Sequence, residues 1–204
     1  MIKNNVAEVL ISDHLIAGIG ILSEADSVLQ EIEKRAQSEF LPIVGPEKGK
    51  FLADSIRRTK PKYVLEVGTL IGYSAILMAK QLGKDVLIIT IEVHENEAKQ
   101  AEENMQKAKI LPKVEVMVGD ALQILPKLKG SFDFVFIDAE KTEYMDYLRS
   151  IEDRLHKGSV IVADNAGIFA NRMKDYLSYV RNSGKFTSKY VPVGTDGLEI
   201  SVRR

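Results

Sequence analysis

The sequence predicts an open α/β sheet with helices on both faces, and three observations predict it. From residue 61 onward, short apolar runs rich in β-branched residues alternate with segments of helical periodicity. Several of these runs end in a carboxylate, at Glu66, Glu92, Asp138 and Asp164. The first run, Tyr63-Val64-Leu65-Glu66-Val67, passes through a Gly68-x-x-x-Gly72 turn into the helix-prone Ser74-Ala75-Ile76-Leu77-Met78-Ala79. Repeated strand–helix units give a parallel sheet with right-handed crossovers.

Residues 1–60 stand outside this alternation and read as a helical cap, with 61–204 as the core of a single domain. In the cap, Ser23-Glu24-Ala25-Asp26 is a capping signal, and Val28, Leu29, Ile32 and Ala36 recur on one face. Pro42, Gly45 and Pro46 break that helix. A second follows from about Glu47 to Thr59, with Phe51, Leu52 and Ile56 expected to face inward. The cap covers the sheet edge, or serves as a lid or a dimer surface. In the core, strand 63–67 leads to helix 72–82, and strand 86–91 to helix 95–109. Strand 114–118 leads to helix 120–128, strand 132–137 to helix 143–155, and strand 159–163 to helix 171–182. Two last strands, near 185–192 and 197–202, flank Gly194-Thr195-Asp196-Gly197, a hairpin turn that makes one edge antiparallel.

A chain of 204 residues is long enough for one sizeable core and short for two domains. The formal net charge of −1 gives no general attraction to nucleic acid or anionic membrane. The absence of cysteine excludes disulfides, thiolate metal sites and a cysteine nucleophile. The start, Met1-Ile2-Lys3-Asn4-Asn5, carries no leader-like pattern. The apolar run Leu15 to Leu22 is too short to span a bilayer and contains Gly18 and Gly20, so a soluble, cytoplasmic protein is expected, with no membrane partner.

The first turn narrows the ligand. Leu70 stands where a dinucleotide fingerprint needs a second glycine, and no phosphate-loop Gly-Lys-Ser/Thr is present. The turn therefore suits a nucleoside without phosphates, and Glu66 suits a ligand carrying positive charge. S-adenosylmethionine has an ammonium, a sulfonium and an adenosine, and satisfies both. Glu92, after the second strand, is placed to accept hydrogen bonds from a ribose; its plain alternative is an exposed acid at a helix start. Asp120 caps the next helix and can also hold the adenine amino group, with Ala121 presenting its backbone.

Phe132-Asp133-Phe134-Val135-Phe136-Ile137-Asp138 and Ser159-Val160-Ile161-Val162-Ala163-Asp164-Asn165 are two buried-strand runs ending in oxygen ligands. If the strands are neighbours, Asp138, Asp164 and Asn165 converge. Two carboxylates and an amide form a hard-cation set suited to Mg²⁺, Mn²⁺ or Ca²⁺ rather than zinc. Lys141, three residues past Asp138, would lose stability as an ammonium beside such an ion and become a usable base. Tyr73, Tyr144, Tyr147 and the three histidines have no partner constellation and are assigned packing, rim or surface roles.

Taken together, these residues resemble the cation-dependent O-methyltransferases of the catechol and caffeoyl-coenzyme A type, across roughly residues 40–204. The resemblance is carried by Val44-Gly45-Pro46-Glu47-Lys48-Gly49-Lys50-Phe51-Leu52, Val64-Leu65-Glu66-Val67-Gly68-Thr69 with Gly72-Tyr73-Ser74, and Val118-Gly119-Asp120-Ala121. It continues through Phe136-Ile137-Asp138-Ala139-Glu140-Lys141, Ala163-Asp164-Asn165 and Asp196-Gly197-Leu198-Glu199. It implies a Rossmann-like class I methyltransferase with seven strands and an antiparallel last strand, often a homodimer. It implies that Val44, Glu66, Gly68, Thr69, Ser74, Glu92, Asp120, Ala121 and Asp138 bind S-adenosylmethionine. Asp138, Asp164 and Asn165 would bind the metal, Lys141 would be the base, and Glu199 would lie near the substrate hydroxyls.

The chain departs from the family at Glu140, where many relatives have Asp, and at Ala166-Gly167-Ile168-Phe169, which lacks the family's Trp or Pro-Gly. The expected reaction is methylation of one hydroxyl of a small vicinal-diol acceptor. A second candidate acceptor is a modified wobble uridine in tRNA, for which Arg57, Arg58, Lys60 and Lys62 offer a basic cluster expected near the active-site rim. A third reading is a non-catalytic nucleoside-binding protein with the same fold.

Overall fold

A computed structural model describes residues 22–204. Apart from Leu22, the N-terminal segment and its apolar run lie outside the described residues. The strands are β1 (Tyr63–Val67), β2 (Leu87–Glu92), β3 (Lys113–Val118), β4 (Phe132–Ile137), β5 (Leu155–Ala163), β6 (Phe186–Val193) and β7 (Asp196–Arg203). They form one sheet in the order β3-β2-β1-β4-β5-β7-β6. Pairings among β1 to β5 are parallel, while β7 is antiparallel to both of its neighbours.

The helices are α1 (Glu24–Ser38), α2 (Gly45–Thr59), α3 (Tyr73–Ala79), α4 (Glu95–Ala108), α5 (Ala121–Ile124), α6 (Tyr144–Ile151) and α7 (Lys174–Asn182). Residues from α1 to α4 cover one face, over Val64, Phe134, Phe136, Val162 and Leu198. Residues from α5 to α7 cover the other, over Leu65, Val67, Val135, Ile137 and Ile161. Central strands buried on both faces have no polar alternation, which is why β4 reads Phe-Asp-Phe-Val-Phe-Ile. The edge strand β3 keeps Lys113 and Glu115, charges that discourage pairing with another chain. Among the described residues, no helix is long and apolar enough to cross a membrane.

The cap helix α1 begins as its capping signal predicts: the Ser23 side chain accepts from the Asp26 N–H. Helix α2 starts at Gly45, two residues before the expected Glu47, because Pro46 is pre-set for the first helical turn. On α2, Gly49, Leu52, Ala53 and Ile56 face inward, whereas Phe51 is 41% exposed, against expectation. The expected helix 120–128 ends as an α-helix at Ile124 and continues as a 3₁₀ turn over Leu125–Lys127, because Pro126 has no N–H to donate. Helix 143–155 is also shorter than expected. A 3₁₀ turn over Glu152–Arg154 follows α6, and β5 already starts at Leu155, which pairs with Phe132. Helix α7 starts at Lys174, three residues later than expected. The final hairpin has a two-residue loop, Gly194-Thr195, since Val193 pairs with Asp196.

Gly72 has φ of 88°, and a Cβ there would meet the Ala101 Cα and Cβ of α4 at 3.3 Å. The turn after β1 therefore needs glycine both for its backbone and for the approach of α4. Gly72→Ala is expected to destabilise the protein by about 1–2 kcal/mol from the left-handed backbone alone. A urea denaturation midpoint equal to that of the unaltered protein would refute this.

Candidate active site

β1 and β4 lie side by side, with Val67 paired to Ile137, yet their following helices go to opposite faces: α3 to one, α6 to the other. The loops must diverge, and the crevice they leave is the usual ligand position of such sheets. A cavity of about 430 Å³ lies there, large enough for a nucleoside-sized ligand. Gly68 has φ of 98°, and a Cβ there would overlap the Asp138 carbonyl oxygen, so glycine lets the two loops touch at the floor.

Eight of the nine expected cofactor residues line this cavity. Val44 enters from the start of α2; Gly68, Thr69 and Ser74 come from the first turn and α3; Glu92 ends β2, and Asp120, Ala121 and Asp138 follow the ends of β3 and β4. Glu92 fixes the turn: its Oε2 accepts from the Leu70 N–H at 2.7 Å and its Oε1 from the His94 N–H at 3.0 Å. That bond holds Leu70 at φ of 47°, unusual for a residue other than glycine. Asp120 caps α5, accepting from the Leu122 N–H at 2.8 Å. The Thr69 side chain bonds the Thr90 hydroxyl beneath the turn, so Thr69 supplies wall rather than a free hydroxyl.

The ninth residue, Glu66, lies just behind the cavity wall and is fully buried. Thr90 Oγ1 donates to its Oε2, while its Oε1 has no hydrogen-bond partner. Burial pushes the Glu66 carboxyl up to about 7 against the opposing pull of the Ser74 and Thr90 hydroxyls, and the charges of Asp138 and Glu92 add to the push. An unpaired buried carboxylate oxygen beside a ligand-sized cavity is suited to a cationic group of the ligand.

The second half of the site stands at the ends of β4 and β5, which are neighbours, with Ile137 paired to Ala163. The Asp164 N–H bonds the Ile137 carbonyl, so Asp138 and Asp164 each sit one step beyond paired strand ends. Burial pushes the Asp164 carboxyl up to about 7, with the Asp138 charge adding to it and Lys48 opposing it. Asn165 follows in the left-handed region at φ of 61°, and its Nδ2 donates to Asp196 Oδ2 at 2.7 Å. That leaves the amide oxygen as the atom that could ligate a cation. This hard-oxygen set fits a divalent cation. Lys141 Nζ donates to Asp138 Oδ1 at 2.8 Å and to the Tyr144 hydroxyl at 3.0 Å. Tyr144 is buried, and its hydroxyl reaches the carbonyls of Ile137 and Asp164 at 3.1 and 3.3 Å, tying the two strand ends together. Burial, with the nearby Asp138 and Asp164 charges, pushes its own ionisation well above the ordinary range.

Three participants were not placed in the site from the sequence: Lys48 and Asp196, which were given no role, and Tyr144, which was given a packing, rim or surface role. Lys48 Nζ donates to both oxygens of Asp164, at 2.6 and 2.7 Å, and to Asp196 Oδ2 at 3.1 Å. Burial disfavours the Lys48 ammonium, but the Asp164 carboxylate more than offsets this and raises its pKa. Burial also works against the Asp196 carboxylate, but donors including the Ile168 N–H, the Asn165 amide and Lys48 hold it at about 2. Lys48 lies inside one of the motifs that carried the resemblance; nothing in the spacing links it to Asp164, 116 residues away.

Two expectations are corrected. Glu199 does not reach the cavity. Its neighbour Leu198 faces the α1–α4 layer, so strand alternation sends Glu199 to the other face. There it is fully buried, accepting from Arg181 at 2.9 and 2.6 Å and from the Ser188 hydroxyl at 2.6 Å. It is a structural ion pair. The basic cluster is also misplaced: Lys60 and Lys62 precede β1, and the Lys62 N–H bonds Asp133 at the start of β4, at the sheet end opposite the cavity. Within that cluster, Arg57 and Arg58 both pair with Asp54. Away from the Asp138–Asp164 pair, Glu92, His94 and Glu97 bring ligand-type atoms within 4.8 Å of one another, but both Glu92 oxygens already serve backbone N–H groups.

Residues 21–175 match the sequence profile of the family described as O-methyltransferase. The catechol O-methyltransferase of Niastella koreensis is 37% identical over 158 residues, covering 75% of this chain and 71% of that protein. The catechol O-methyltransferase of Mus musculus is 31% identical over 194 residues, covering 88% and 72%. Among solved structures, the O-methyltransferase from Bacillus cereus in complex with SAH has a TM-score of 0.79 at 27% identity, covering 95% of this chain and 97% of that one. The O-methyltransferase TomG from Streptomyces achromogenes, in complex with SAM, also has a TM-score of 0.79, at 26% identity, covering 100% and 99%. With the profile spanning most of the chain and the fold shared end to end, the chain belongs to the O-methyltransferase family.

Proposed function

We propose that this protein uses S-adenosylmethionine and a divalent cation, Mg²⁺ or a similar hard ion, to methylate one of two adjacent hydroxyls on a small, catechol-like acceptor. The observation that carries this reading is the position of Asp138. It lines the nucleoside-sized cavity and, from the same strand end, faces the Lys141 and Asp164 charges. One carboxylate thus joins a cofactor pocket to a hard-oxygen set, as transfer between two bound reactants requires.

When bound, S-adenosylmethionine supplies a methyl group activated by a sulfonium. Glu66 Oε1 would pair with its ammonium, Glu92 with the ribose, and Asp120 and Ala121 with the adenine. The cation, held by Asp138, Asp164 and Asn165, would lower the pKa of a coordinated hydroxyl. Lys141 Nζ would take the hydroxyl proton, with Asp138 and the Tyr144 hydroxyl keeping that nitrogen in place. The catechol O-methyltransferase relatives support an acceptor with adjacent hydroxyls. The tRNA alternative loses its main support with the basic cluster at the far end of the sheet.

Asp164→Ala is expected to abolish methyl transfer to a catechol probe while S-adenosylmethionine binding, measured by calorimetry, remains. Full activity of the unaltered enzyme in excess chelator would overturn the cation requirement. Glu66 gives a second expectation. Its folded-state pKa of about 7 lies above the ordinary 4.5, so its contribution to stability is present below about 4.5 and is lost as pH rises through 7. Glu66→Gln should therefore stabilise the ligand-free protein at pH 8 by about 3 kcal/mol relative to its effect at pH 4.5. It should also weaken cofactor binding. Parallel stability profiles for the two proteins across this range would show that Glu66 is not strained when unpaired.

A further inference from the structure

We propose that Lys48 is the resident cation of the Asp164 carboxylate, and that a divalent ion binds there by exchange, displacing the ammonium toward Asp196. This rests on the cation-dependent reading above and adds a residue that sets the affinity of the ion. The ammonium of Lys48 bonds both Asp164 oxygens, at 2.6 and 2.7 Å, which leaves that carboxylate fully engaged before any metal arrives. Its side chain is 15% exposed and that of Asp164 is 2% exposed, so the pair is screened little by water.

The cluster contains the carboxylates of Asp138, Asp164 and Asp196 and the ammonium groups of Lys48 and Lys141. Lys141 belongs to Asp138, while Lys48 bridges Asp164 and Asp196. A dication on Asp164 cannot share both oxygens with an ammonium at hydrogen-bonding distance, because like charges at that separation repel strongly. Asp196 Oδ2, 3.1 Å from Lys48 Nζ, offers the displaced ammonium a carboxylate without requiring it to leave the site. Asp196 is itself fixed: its Oδ1 accepts from the Gly167 and Ile168 N–H groups at 3.1 and 3.0 Å, and its Oδ2 from Asn165. Lys48 thus holds the ligand carboxylate in place without metal, and competes with the metal for it.

The test is a Mn²⁺ titration followed by electron paramagnetic resonance, on protein stripped with chelator and without methyl donor or acceptor. Lys48→Met, close in shape but neutral, is expected to bind Mn²⁺ about ten-fold more tightly or better, since one positive charge has left the site. Equal or weaker binding by Lys48→Met, with the unaltered protein binding normally, overturns the exchange and leaves the cation-dependent reading standing. No binding by either protein overturns both. Loss of one partner of a buried pair can prevent folding, so a second measurement uses the unaltered chain with ¹³C-labelled lysine. The ε-methylene resonance of Lys48, identified by its absence in Lys48→Arg, is expected to shift on saturation with Mg²⁺. An unmoved resonance at saturation overturns the proposal.

Discussion

The parallel pairing of β1 with β4 is the constraint on which the rest of the structure depends. The two strands sit side by side, yet their chains leave in opposite directions, so the sheet opens at their carboxyl ends. Glu66 lies in one strand, Asp138 ends the other, and Gly68 lets their loops meet at the floor. Shift β4 by one strand position and the cavity, the unpaired Glu66 oxygen and the Asp138–Lys141 pair would no longer share one edge. The neighbouring β4–β5 pairing then adds Asp164 and Asn165 beside Asp138.

Charge is distributed unevenly over that frame. Glu199 and Asp164 are both buried carboxylates, and both are fully bonded by a basic side chain. Glu66 is equally buried but has no counter-ion. The three differ in setting: the Glu199 pair braces the fold away from the cavity, the Asp164 pair stands in the candidate site, and an unpaired buried charge beside a cavity is costly unless a ligand completes it. The Arg181–Glu199 pair ties α7 to the antiparallel edge, whereas Glu66 stores its unmet hydrogen bond at the centre.

The strands were legible because burial on both faces leaves unbroken apolar runs, and their carboxylate endings marked the functional edge. Glu92, Asp120, Ala121 and Asp138 could be placed for the same reason: each ends or follows a strand, and strand ends in such a sheet share one side. Helix ends were less legible. Pro126 shortened one helix, and the early start of β5 at Leu155 ended another, because a tertiary pairing with Phe132 outweighed local helix preference. Glu199 was misread because a motif gives position along the chain but not facing, and facing depends on which layer Leu198 joins. Lys48 has no local signal linking it to Asp164. The basic cluster could have been placed, since residues preceding a strand lie at the end opposite those following it.

Asn165 carries a consequence of its own. Its backbone sits at φ of 61°, a region that side chains other than those of glycine, asparagine and aspartate occupy only with strain. Its side-chain nitrogen also donates to Asp196 Oδ2 at 2.7 Å, a bond that an aspartate in its place could not make. Conformation and chemistry therefore select the same amino acid independently. The neighbouring Gly167 is constrained as well, since a Cβ there would meet the Tyr190 hydroxyl at 2.5 Å, so at positions 165 and 167 very few replacements are open.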